Sequence, residues 1–132
     1  MSRIARTRLG CAALAAALAA CAPAALACGV CVEDKVAATY DHGVITRALG
    51  RGHVVVFAEV KGAGSAAAMT QAARKAAATV RGVDRGSVRI AEQPTVLSFA
   101  LDGRVRTPAQ ALAAMEKAAA SRVKLDLLKV MR

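Results

Sequence analysis

From His53 onward the spacing of apolar residues switches repeatedly between the period of a strand and that of a helix, and the order of those switches leaves few folds open. Val54-Val55-Val56-Phe57-Ala58-Glu59-Val60 is β-branched and apolar, and reads as a central strand. The loop Lys61-Gly62-Ala63-Gly64 leads to Ser65, whose hydroxyl suits a helix N-cap. Met69, Ala72, Ala73, Ala76 and Val80 then line one helix face, with Arg74 and Lys75 on the other, until Arg81-Gly82 closes the segment. Ser87-Val88-Arg89-Ile90 alternates as a second strand, and Glu92-Gln93-Pro94 is a short connection. In the third strand Leu97, Phe99 and Leu101 alternate with Val96, Ser98 and Ala100 before Asp102-Gly103 ends it. Thr107-Pro108-Ala109-Gln110 is a capping box with proline at the first helical position, and Leu112, Met115 and Ala119 form the stripe behind it. Val123-Lys124-Leu125-Asp126-Leu127 alternates as a last strand.

This order predicts an α+β fold: a ferredoxin-like β-α-β-β-α-β domain over residues 53–132, with two helices on one face of an antiparallel sheet. Before it, residues 28–52 form an N-terminal segment with its own helix. Val32, Val36, Tyr40, Val44 and Ala48, flanked by Ala37, Ile45 and Leu49, give an amphipathic stripe over residues 32–49. Gly43 weakens its middle and predicts a break near Asp41-His42-Gly43, and Gly50-Arg51-Gly52 ends it. Periodicity leaves two placements open, over the free sheet face or away from it as an arm.

Residues 1–27 read as a cleaved signal peptide. Arg3, Arg6 and Arg8 precede an uncharged stretch from Leu9 to Ala22, Pro23 breaks any helix, and Ala25-Leu26-Ala27 offers a small-x-small cleavage pattern. Leu18-Ala19-Ala20-Cys21 also resembles a lipoprotein lipobox, in which Cys21 would carry a lipid anchor. Both readings place the protein in the periplasm or cell envelope. The rest of the 132 residues suffices for one domain. The formal net charge of +10 drops by three with the leader, and such a balance admits nucleic acid, an anionic membrane surface or an acidic partner. The basic residues are scattered, and Tyr40, Phe57 and Phe99 are the only aromatics, so no platform exists for stacking bases. The expectation is a solvated basic surface and no nucleic acid.

Val80-Arg81-Gly82-Val83 followed by Val88, and Thr107-Pro108 running to Ala114-Met115-Glu116-Lys117-Ala118, resemble the turn and the final helix of the heavy-metal-associated domain family. The resemblance covers roughly residues 54–130 and implies the ferredoxin-like fold. That family carries its metal in a Gly-Met-x-Cys-x-x-Cys loop after the first strand. Here Ala63 stands at the methionine, Ser65 at the first cysteine and Ala68 at the second, and neither Ser nor Ala is a ligand for Cu(I). Met69 nearby reads as a core side chain.

Soft ligands stand instead at Cys28-Gly29-Val30-Cys31, just before the first helix. Two thiolates at that spacing can share one ion and select Cu(I) or zinc. Such a pair could replace the missing loop ligands if the N-terminal arm folded over residues 62–68. An oxidising compartment equally permits a structural disulfide, and thiol–disulfide exchange is a third reading. His42 and His53 are the candidate additional ligands, His53 being read as a surface residue. No nucleophile–base pair, phosphate loop or carboxylate pair occurs, so no enzyme is expected. The sequence thus predicts an exported metal-binding protein with Cys28, Cys31, His42 and His53 as ligands and Cu(I) or a similar transition metal as the ion. The rival is an envelope interaction module, with a structural disulfide, that binds a partner protein through a free sheet face or edge.

Overall fold

The structure is a computed structural model that describes residues 31–132. The leader, the lipobox cysteine Cys21 and Cys28 lie outside the described residues. In chain order the elements are α1 (Val32–Ala37), α2 (His42–Gly50), β1 (Val54–Gly62), α3 (Ala66–Thr79), β2 (Arg89–Glu92), β3 (Thr95–Leu101), α4 (Pro108–Ala118) and β4 (Val123–Met131). The four strands form one antiparallel sheet in the order β2-β3-β1-β4, the ferredoxin-like arrangement.

Alternation along β1 and β3 explains why both faces of the sheet are dry. Val56, Ala58 and Val60 with Leu97, Phe99 and Leu101 point to α3 and α4, where Ala73, Ala77, Ala111, Leu112 and Met115 complete the main core. Val55, Phe57 and Ala100 point the other way and are covered by Val36, Ile45 and Ala48 of α1 and α2. The N-terminal helices therefore lie over the sheet face that a bare ferredoxin-like module leaves open. A β-bulge in β4 assists them. Phe57 pairs with Lys129 and Ala58 with Leu127, so Leu128 is unpaired and packs with Met131 against this second core.

The stripe over residues 32–49 is carried by two helices, and the break expected near Asp41-His42-Gly43 falls over residues 38–41, set by Asp41 rather than by Gly43. Asp41, extended at φ −129°, accepts a hydrogen bond from the Val44 amide at 3.0 Å and so starts a new helix, leaving Gly43 inside its first turn. Tyr40 falls in the break and is exposed, which removes it from the expected stripe. The second strand also starts later than its alternation suggests. Residues 85–87 form a short 3-10 turn capped by the Asp84 side chain, and the Ser87 hydroxyl accepts from the Ala100 amide at 2.7 Å. The helix caps follow the sequence. The Ser65 hydroxyl accepts from the Ala68 amide, and Thr107 and Gln110 close a reciprocal capping box.

Candidate functional site

Cys31 is the N-cap residue of α1. Its carbonyl accepts from the Lys35 amide at 3.0 Å, its side chain makes no capping bond, and it is exposed. The helix it opens is fixed to the sheet on two sides. Val36 enters the second core, and the Lys35 ammonium lies 3.0 Å from Glu59 of β1, both side chains being about four-fifths buried. At the far end of α1 the buried Ser98 hydroxyl donates to the Thr39 carbonyl at 3.2 Å.

Glu59 and Asp126 face each other across β1 and β4, a like-charge pair that alone would oppose pairing of the strands. Lys61 resolves it, at 2.7 Å from Asp126 and 3.7 Å from Glu59. Its hydrogen bond holds the Asp126 carboxyl below the ordinary aspartate range and in turn raises Lys61 above the usual lysine value. The charges thus run as a chain from Lys35 through Glu59 and Lys61 to Asp126.

His42 is the first residue of α2, exposed, with its Nε2 3.5 Å from the Thr46 hydroxyl. His53 lies just beyond the other end of α2, where its amide donates to the Ala48 carbonyl at 2.9 Å. Eleven residues along that path correspond to a rise of ~16 Å if helical throughout, so the two imidazoles belong to different ends of the helix. His53 is not the surface residue expected. Its side chain is about 19% exposed, its Nδ1 is buried without a partner, and its Nε2 is 4.0 Å from Asp102. Register explains this placement, because Val54 pairs with Leu101 and sets the preceding His53 against the following Asp102. Asp102 is itself gripped by the Arg104 guanidinium at 3.0 and 3.2 Å, which lowers its pKa.

Among the described residues no group of three or more His, Cys, Asp or Glu side chains converges as a metal site. The loop before α3 supplies none: residues 62–65 are exposed, the N-terminal helices leave them uncovered, and Ser65 is committed as a cap. Met69 is half-buried and packs against the main core. No protein-family model, no curated protein and no solved structure matches this chain. The ferredoxin-like fold accordingly stands on element order and strand pairing. Among the described residues both sheet faces are covered, and β2 and β4 are the edge strands of the sheet. No helix of the described residues is long and apolar enough to cross a membrane.

Sequence reasoning missed the ionic contacts that place α1 and α2. Besides Lys35–Glu59, Asp41 accepts from Arg89 Nε at 2.9 Å, joining the start of α2 to β2. These partners are 24 and 48 residues apart in the chain, and nothing local in the sequence marks them.

Proposed function

We propose that this chain is an exported protein, similar in fold to heavy-metal-associated modules, that holds a soft transition-metal ion between the thiolates of Cys28 and Cys31. The observation that carries this reading is the position of Cys31: an exposed N-cap whose side chain makes no capping bond, on a helix anchored to the sheet through Val36 and Lys35. Such a thiol is accessible to an ion or to an ion donor, and the anchored helix limits how far it can wander.

The ligand supply selects the metal. Structural zinc sites take four ligands in a closed tetrahedron. Residues 1–30 contain no His, Asp or Glu, Cys11 and Cys21 are lost with the cleaved leader, and the described residues bring no cluster of three together. Two thiolates alone suit Cu(I), which soft sulfur ligands favour and which accepts low coordination numbers. His42 and His53, at different ends of α2, serve at most one at a time.

The test is a Cu(I) titration of the purified, reduced protein against a competing chelator. One equivalent bound per chain is expected, lost in Cys28→Ser and in Cys31→Ser and kept in His42→Ala. Binding that survives both cysteine substitutions, or no binding above a serine double variant, overturns the proposal.

A further inference from the structure

The outer side of the α3–α4 pair carries a groove that the metal reading leaves unused. Two cavities of about 360 and 340 Å³ lie along it and adjoin at Thr79 and Ala118, which line both. Lys75 and Arg122 line the first, and Arg81, Arg106 and Lys117 the second, over a floor made largely of alanine. No carboxylate lines either one.

Elsewhere Lys35, Arg51, Lys61, Arg89, Arg104 and Lys124 each lie within 4.0 Å of a carboxylate, whereas Arg47, Arg74, Arg85, Lys129 and Arg132 do not and line neither cavity; what sets the groove apart is that five bases gather along it. Among the described residues none of these five has a carboxylate within that distance. α3 contains no acidic residue, and Glu116 of α4 is turned to β4, where it accepts from the Leu125 amide at 2.7 Å. Arg106, which lines the second cavity, also has a buried Nε with no hydrogen-bond partner. Gathering like charges without compensation costs stability through mutual repulsion. The missing negative charge is one that something else brings.

We propose that this groove docks an acidic segment of a partner protein, with its carboxylates on the five bases and its backbone over the alanine floor. The chain's own residues 1–30 cannot be the occupant, since they carry three arginines and no acid. A bilayer surface would be met by flanking apolar side chains that insert. Of the exposed large hydrophobics, Val32, Tyr40, Leu49, Val105 and Leu127, none lines the groove. No aromatic side chain lines it either, so a single-stranded nucleic acid finds no stacking surface.

The experiment titrates the purified protein at low salt into a short fluorescent peptide of alternating Glu and Ala and follows anisotropy. Saturable binding is expected, falling steeply with added salt and weakened about tenfold or more in each of two double variants, Arg81→Glu/Lys117→Glu and Lys75→Glu/Arg122→Glu. Arg47→Glu/Lys129→Glu makes the same change in net charge on the α1–α2 side of the sheet and is expected to bind within about twofold of the parent. All six substituted side chains are exposed, and circular dichroism checks that the variants fold. Absent binding, or equal weakening by the control variant, overturns the proposal. So does stronger groove-dependent binding to anionic phospholipid vesicles or to an oligonucleotide than to the peptide.

Discussion

A Cβ on Gly62 would stand 2.6 Å from the carbonyl oxygen of Arg122, at the point where Gly62 pairs with Val123 and β4 joins β1. Backbone cannot swing aside as a side-chain tip can. Gly62→Ala is therefore expected to cost about 1–3 kcal/mol, read as a lower urea midpoint at unchanged slope. An unaltered midpoint would mean that the two strands are less closely apposed than described. Asp41 governs a different variable. Its carboxylate accepts from the Val44 amide and, second in weight, from Arg89, and both lower its pKa. Because the folded value lies below the unfolded one, this contribution is present above the ordinary aspartate pKa of about 3.9 and is lost as pH falls through the folded value. Asp41→Asn retains a capping oxygen but not the charge. The parent should exceed this variant in melting temperature near neutrality, and the gap should close as pH is lowered from about 5 to about 2. A gap that stays constant across that range would remove the carboxylate from the account.

At the scale of elements, α1 and α2 behave as part of the domain. Ile45 is buried against Val55, Phe57 and Ala100, and truncating it to alanine should cost about 2–4 kcal/mol. Thr107→Ala, which removes one half of a cap on α4, should cost only about 1 kcal/mol. Were the N-terminal helices an independent arm, Ile45→Ala would leave the main unfolding transition in place, which urea denaturation followed by far-ultraviolet circular dichroism would detect. The strands and α3 and α4 were readable from sequence because their signals are local. The apolar, largely β-branched run from Val54 to Ala58 reports a central strand, and Thr107-Pro108-Ala109-Gln110 reports a helix start whatever lies beyond it. The docking of α1 and α2 was not readable. A stripe of Val36, Val44, Ile45 and Ala48 states that some apolar surface must meet it, and that surface, made by Val55, Phe57 and Ala100, exists only after the sheet has formed. Similarly, the bulge at Leu128 answers a packing demand from across the sheet and has no signature in its own segment.

On the scale of the molecule, charge is distributed more unevenly than the sequence suggests. Basic residues that look scattered along the chain converge when α3 and α4 come together, so that Lys75 and Arg122, 47 positions apart, line one cavity. Paired carboxylates instead occur along the α1–α2 side, the strand ends and the β4 edge. The proposed thiolate site was legible only in its residue types. Cys31 can be found by reading the chain, whereas the different ends of α2 occupied by His42 and His53 follow from a helix whose start Asp41 sets. The covering of the second sheet face also sets where this protein can be shortened. A fragment starting at β1 would keep every strand and both long helices, yet it would turn Phe57 and its neighbours outward as a greasy slab. The smallest piece of this chain able to live alone in water begins upstream of the sheet, at the helix pair.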